Sequence, residues 1–407
     1  MKFRMIQILL LEALFVMLGA TSGGSLETIL FGINVPLTGS YSRQGEDELR
    51  AYKLAINRIN EQGGVLGKKI VYSVKDTRTD AEEARKNTKE LIHDGAVVIT
   101  GGSSSAEAIV QGEECQKAGV IFMAALTHAN ETTGKDGHRH TFRWYIDAHM
   151  SAEALSNELI RQYGKNARYA FLYADYAWGT SVLDSMQGVL EKAGGKTILK
   201  IPTKLGEESY IAPLLQAKLA GPDVLVLIHF GKDMINSLQQ ATTLELRQKM
   251  AIVVPLMDVH MAEPLGPEVM QGVITSMSWY HGLAEMYEGA KEFVELFQKK
   301  YRMMPGSGAA AAWVDIFQYA DAVERAKTFD HFQVIKALEG HHFKLLLDEE
   351  YWRNWDHQGI RPTYVAVGKK PDKLTDKWDL FKITGVYRGE DLAQTKKENP
   401  VQLEPIP

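Results

Sequence analysis

The sequence predicts an α/β protein of two Rossmann-like lobes, each a mainly parallel sheet flanked by helices. Three observations predict it. Strand-like and helix-like segments alternate with short connections from residue 29 to about 125, the pattern of a parallel sheet covered on both faces. A second alternation of the same kind starts near residue 148 and runs to 278. Glycine, serine and aromatic clusters stand at strand ends in both halves, where facing loops enclose a ligand at a domain interface.

In the first half, 29–35 reads as a strand, 36–45 as a loop and 47–61 as a helix with Ala51, Leu54, Ala55 and Ile59 at helical spacing. Gly63, Gly64 and Gly67 end that helix; 69–76 is the next strand. Residues 79–93 are helical from a Thr-Asp start to Gly95. Val97-Val98-Ile99-Thr100 is a short buried strand that turns through Gly101-Gly102 into a helix opening at Ser103. A strand end feeding a helix N-terminus points backbone N–H groups out of the carboxyl edge of the sheet and favours a negative group there. Ser103, Ser104 and Ser105 add neutral hydroxyls, suited to a carboxylate that is held and later released. Ser104 and Glu107 also have capping-box spacing, so these serines have a purely local alternative role. The strand 120–125 follows.

In the second half, helices are expected at 152–163, 179–193, 210–220 and 234–243, and strands at 169–173, 197–201, 223–229, 251–255 and 273–278. Further helices are expected at 285–301, 309–327 and 332–338, before a tail that is strand-like from Tyr364 and then polar.

The 407 residues are 45% hydrophobic and 24% charged, ordinary for a soluble protein of two or more domains. A net charge of −5 without a basic block or arginine cluster argues against nucleic acid as a partner. Lys2 and Arg4 precede an apolar run over 5–18 and the small residues 19–24, the order of a secretory signal peptide cut near Ala20. As a membrane anchor the run is short and broken by Gln7 and Glu12. No later segment is long and apolar enough to span a bilayer. Cys115 is the only cysteine, which excludes an intrachain disulfide and a cysteine-based metal site, and lies too far along to be a lipid-modified N-terminus. The expectation is an exported periplasmic protein, not a lipoprotein. The chain holds no G-x-S-x-G elbow, no P-loop and no G-x-G-x-x-G after a strand, so neither an enzyme nor a resident cofactor or metal is expected.

Four landmarks, in order, carry a family resemblance. They are Gly32-Ile33-Asn34-Val35-Pro36-Leu37-Thr38-Gly39 through Gln44-Gly45, with the later Ile59-Asn60-Glu61-Gln62-Gly63-Gly64-Val65-Leu66-Gly67-Lys68; Asp76-Thr77 with Thr79-Asp80; the serine loop; and Ala174-Asp175-Tyr176-Ala177-Trp178-Gly179. From residue 27 onward the chain resembles the type I periplasmic solute-binding proteins of ABC transporters, in the branched-chain amino acid (Leu/Ile/Val-binding) group. The resemblance implies a three-crossing hinge near 144–147, 276–279 and 346–356. Lobe 1 would be 27–145 plus 278–350, and lobe 2 would be 147–276 plus 355–407. It implies a monomer that closes on a small carboxylate-bearing ligand, an amino acid or an aromatic acid, and delivers it to an ABC permease. The same fold also serves as a ligand-sensing regulator or receptor module, which is the alternative reading.

By the same resemblance, Ser103, Ser104 and Ser105 with Thr127 hold the ligand carboxylate. His128 then is an exposed loop residue, unless the register slips by one and turns it to the ligand. Gln44, or alternatively Tyr41, stands near the mouth. Tyr176 or Trp178 packs on the ligand side chain, Trp178 having the second option of packing under its helix start; Phe230 matches an aromatic of the family. Asp258 lies near the place of an acid for the ligand ammonium; if it turns away, Met257 lines the pocket and the ligand lacks an amine. Asp175 could supply the acid or merely cap a helix. Trp279 and Tyr280 would add to an aromatic cleft. Arg143 is expected to pair with lobe-2 acids rather than an anionic ligand, and Asp356 and His357 to pack at the hinge.

Overall fold

The computed structural model describes residues 27–406. The first lobe runs β1 (Thr28–Val35), α1 (Ser42–Glu61), β2 (Lys69–Asp76), α2 (Ala81–His93), β3 (Ala96–Gly101), α3 (Ser105–Ala118), β4 (Ile121–Ala124) and β5 (Thr141–Arg143). These strands form one parallel sheet in the order β2-β1-β3-β4-β5. The chain then enters α4 (Ala148–Tyr163), β6 (Arg168–Ala174), α5 (Ala177–Lys192), β7 (Lys196–Thr203), α6 (Ile211–Ala220), β8 (Val224–Ile228), α7 (Gly231–Thr243), β9 (Ala251–Val254), α8 (Val259–Met270) and β10 (Ile274–Met277). It returns to the first lobe for α9 (Glu288–Tyr301), α10 (Ser307–Ala326) and α11 (His331–Leu338). A small antiparallel sheet, β11 (His342–Phe343), β12 (Glu350–Trp352) and β13 (Gly359–Ile360), leads to β14 (Thr363–Gly368), β15 (Phe381–Tyr387) and α12 (Gly389–Leu392). β14 and β15 add antiparallel to the second sheet, whose order is β15-β14-β10-β9-β8-β6-β7.

Both lobes share one plan. The first strand of each sheet, β1 or β6, lies between the second and the third, so each sheet reverses direction between its first and third strands. Loops leaving the carboxyl ends of strands at such a reversal form a crevice. Here these are 36–41 and 102–104 in lobe 1, and 175–176 and 229–230 in lobe 2.

The three passages between lobes are knotted together. The Arg361 guanidinium lies 3.5 Å over the Trp144 ring centroid and donates to the Ser278 carbonyl, while Trp144 Nε1 donates to Glu350 Oε1 at 2.7 Å. Arg143 is fully buried at the first passage; it donates to Gln358 Oε1 (2.8 Å), Ala129 O and Thr133 Oγ1, with Asp147 3.7 Å away. Its partners are thus one acid, Asp147, and, chiefly, neutral oxygens of lobe 1 and of Gln358. His357 stacks on Phe142 at 3.9 Å and meets Glu339 at 2.9 Å, and Asp356 pairs with Arg353. Beyond α12 the tail returns to residues 133–139: Asn399 donates to Thr133 O, and Glu404 accepts from Arg139 N (2.7 Å) and meets His138 (2.8 Å).

Cys115 is fully buried on α3, among Leu91, Ile99 and Phe122, and burial pushes its thiol up. The leader expected at 1–24 lies outside the described residues. Among the described residues, no helix is long and apolar enough to cross a membrane.

Candidate functional site

The two crevices face each other and close on a small cavity. Lobe 1 contributes Tyr41, Ser103, Ser105, Leu126 and His128; lobe 2 contributes Tyr176, Trp178, Phe230 and Leu256. The cavity holds about 10 Å³, room for roughly one water. Larger depressions of about 510 and 670 Å³ lie elsewhere, beside the small sheet and at the far end of the second sheet. They are open surface grooves away from both sheet reversals, so the interlobe cavity is the candidate site.

The lobe-1 wall is built by local chemistry. Asp76, at the end of β2, accepts from the amides of Leu37 (2.8 Å) and Thr38 (3.2 Å) and from the Thr38 hydroxyl (2.7 Å). Thr79 Oγ1 accepts from Tyr41 N at 3.2 Å. Together they fix the loop that carries Tyr41 inward. At the end of β3, Gly101 has φ 135°, and a Cβ there would lie 2.0 Å from Asn34 O, so only glycine makes this turn. Ser104 then caps α3: its Oγ accepts from Glu107 N at 3.4 Å, and Glu107 Oε2 accepts from Ser104 N at 3.1 Å. This reciprocal pair leaves the amides of Ser105 and Ala106 as the first-turn donors at the positive end of the helix.

The three serines therefore differ. Ser104 serves the helix and does not line the cavity. Ser103 lines it, with its hydroxyl donating to Glu48 Oε1 at 2.7 Å. Ser105 also lines it, and its Oγ accepts from Ala129 N (3.0 Å), His128 N (3.2 Å) and Thr127 Oγ1 (3.2 Å). Thr127 also bonds Thr132 Oγ1 at 2.8 Å and is fully buried behind the wall, which corrects its expected place beside the ligand. Beneath this rim lie two buried carboxyls. Burial pushes Glu107 up to about 7 and Glu48 well above the usual carboxylate range.

His128 is the largest correction in lobe 1. Expected as an exposed loop residue, with an inward turn by a one-residue slip as the alternative, it is 1% exposed and reaches across to the other lobe. Trp178 Nε1 donates to its Nδ1 at 2.9 Å, and its Nε2 is 2.6 Å from Ser151 Oγ on α4. Burial first, and then the Arg143 charge, hold the imidazole well below its ordinary pKa.

The lobe-2 wall is aromatic. Trp178, in the first turn of α5, is 3% exposed with its ring centroid 6.1 Å from those of Tyr176 and Phe230. Phe230 meets Tyr41 edge-on at 5.3 Å, and the Tyr41 and Tyr176 hydroxyls bond to each other across the seam. Lys232 N also donates to Ser40 O at 3.1 Å, and Asn130 N to Ser181 Oγ at 2.9 Å.

Asp258 does not reach the cavity. Its carboxylate caps α8 through His260 N (2.8 Å) and accepts from Ser307 N (2.6 Å), the first amide of α10 in the other lobe. Next to it, His260 Nε2 is 3.0 Å from Asp47 Oδ1 on α1. Met257 is fully buried outside the wall, and Leu256 is the residue of that strand end which lines it. Asp175 is exposed and neither caps α5 nor faces the cavity. Gln44 is buried in α1, both polar side-chain atoms lacking a partner among the described residues. Trp279 packs on Phe293 and Tyr280 on Phe381, so neither adds to the cleft. Leu126 and Leu256 carry no signal of their own in the sequence; each precedes a more conspicuous polar residue, Thr127 in one loop and Asp258, two positions on, in the other.

Residues 28–373 match the family model described as periplasmic binding protein. A Brucella abortus (strain 2308) protein named Leu/Ile/Val-binding protein homolog 7 is 28% identical over 373 residues, covering 88% of this chain and 91% of that protein. An amino acid ABC transporter substrate-binding protein from Pseudomonas fluorescens Pf-5 superposes with a TM-score of 0.85 at 27% identity, over 93% of this chain and 99% of that one. A solute binding protein of an ABC transporter from Rhodopseudomonas palustris BisB5, in complex with 3,4-dihydroxy benzoic acid, superposes at 0.80 and 20% identity, over 89% and 98%.

Proposed function

The chain belongs to the periplasmic binding protein family, and from that premise we propose that it captures a small carboxylic acid without an ammonium group, an aromatic acid being the best fit, and delivers it to an ABC permease. The observation that carries this reading is the composition of the wall: hydroxyls, rings, two leucines and a histidine, with no carboxylate among the described residues lining it. A zwitterionic amino acid would bury its ammonium without a counter-ion, at a cost of several kcal/mol. An aromatic acid fits the division of labour between the walls. Its carboxylate meets the first-turn amides of α3 and the Ser103 hydroxyl. Its ring enters among Trp178, Tyr176 and Phe230 only as the walls part from the one-water cavity they enclose here, and offset and edge contacts then add to apolar burial. The fold accommodates such a ligand in the Rhodopseudomonas palustris protein, which holds 3,4-dihydroxy benzoic acid.

Mechanistically, the carboxylate docks on lobe 1 while the lobes are apart. Closure then lays the lobe-2 rings over it, and the ligand shifts the population by its preference for the closed form. With the leader removed, the chain would work in the periplasm as a monomer. The test is a thermal-shift and calorimetric comparison of benzoate, hydroxybenzoates and leucine. Benzoate-class acids should raise the melting temperature as their concentration rises. A shift with leucine and none with aromatic acids would overturn the ammonium-free part; a shift with none of them would overturn the reading as a whole.

A further inference from the structure

In the lobe-1 wall, His128 has both of its ring nitrogens held by the other lobe. An indole N–H only donates, so the 2.9 Å contact from Trp178 Nε1 requires Nδ1 to be bare. The proton of the neutral ring then sits on Nε2, which donates to Ser151 Oγ at 2.6 Å. A charged imidazolium would aim an N–H at the indole N–H and lose that bond. We propose that His128, as a neutral acceptor for the Trp178 indole, is the positioning residue that sets the aromatic lid and makes closure of the lobes acid-sensitive. The proposal rests on the function proposed above.

The groups that face the ring are few. α4 presents Ser151, α5 presents Trp178, and the first passage presents Tyr145, 6.1 Å away edge-on; Arg143 on β5 is the nearby charge. With the lobes apart, the imidazole meets water and its pKa returns toward the ordinary 6.5, held under it by Arg143, which stays on the same lobe. With the lobes together, burial and Arg143 hold its pKa far lower. Closure below about pH 6.5 therefore expels one proton. The contribution of this ring to affinity is level above that pH and falls about tenfold per unit below it, until the closed-state ring itself protonates. His260 works in the opposite sense: desolvation lowers its pKa, but Asp47 and Asp258 together overcome that loss and raise it, with Arg50 opposing them. Its contribution is full in acid and fades as the pH rises, so it does not mimic the acid limb.

The test uses the full chain with ¹⁵N-labelled histidine rings, in two closed forms: saturated with benzoate, and locked by a Ser40→Cys/Lys232→Cys disulfide, whose backbones are in hydrogen-bond contact. One ring signal, missing in His128→Gln, should keep the neutral Nε2–H pattern at pH 5, where an ordinary imidazole is protonated. Benzoate affinity should fall about tenfold per unit below pH 6.5 in the unaltered protein. In His128→Gln, whose amide accepts from Trp178 and donates to Ser151 without titrating, the acid limb should be absent. His128→Leu should weaken binding at every pH. A His128 ring that titrates near 6.5 in the closed forms, or an acid limb unchanged in His128→Gln, overturns the proposal. Failure of benzoate to bind counts against the functional reading alone, because the locked form still reports the ring.

Discussion

The two walls of the cleft are held in different ways. Lobe 1 presents serine hydroxyls already committed within their own lobe: Ser105 to two amides of the following loop, Ser103 to Glu48, with Ser104 behind them in the capping box. Lobe 2 presents rings whose polar edges find partners only across the seam, Tyr176 with Tyr41 and Trp178 with His128. One wall is built by folding, the other is completed by closure. Substitutions on lobe 1 should therefore register as stability, and those on lobe 2 in affinity as well.

The largest expected effect is that of Trp178→Ala, which empties a buried ring site. We expect a loss of about 3–5 kcal/mol in stability and about 2–4 kcal/mol in binding, from denaturant melts and calorimetry with benzoate. Unchanged affinity in a folded variant would break the comparison. Next is Glu107→Gln, which keeps the capping box but removes a buried carboxyl raised from 4.5 to about 7. Folding takes up a proton between those values, so wild-type stability falls as the pH rises through that window. The variant should be more stable at pH 8 by on the order of 3 kcal/mol and about equal near pH 4, read from urea melts at both. Ser105→Ala leaves the His128 and Ala129 amides unpaired and should cost about 1–3 kcal/mol in stability. Ser104→Ala, a lost cap, should cost about 1 kcal/mol and leave benzoate affinity within about twofold. A large affinity loss with intact stability would make Ser104 a ligand contact instead of a cap.

Most of the fold was legible because alternation with short connections leaves few topologies, and the central strands β3, β4, β8 and β9 carry short apolar runs. The differences have local causes. α1 begins at Ser42, not near residue 47, because Gly45 lets the first turn pack on Pro36: a Cβ there would lie 1.9 Å from Pro36 O. α8 escapes a periodicity reading because Pro264, Gly266 and Pro267 erase its pattern, and its backbone does break at Gly266. β5 and β11–β13 are two or three residues long and exist only through long-range pairing. In the site, Ser103 and Ser105 could be placed from the strand end and helix start, and Tyr176, Trp178 and Phe230 only through the family resemblance; all five line the cavity. Which way Asp258 and Thr127 turn depends on partners 49 and 22 residues away, Ser307 and Ser105, and no local pattern carries that.

The solitary thiol at position 115 lies fully inside α3. It is therefore shielded from alkylating dyes in the native protein, and pairs of cysteines placed on opposite rims become the accessible labelling sites. A donor and an acceptor fluorophore there would give a molecular ruler for the hinge, read one molecule at a time, without replacing any native side chain of the core.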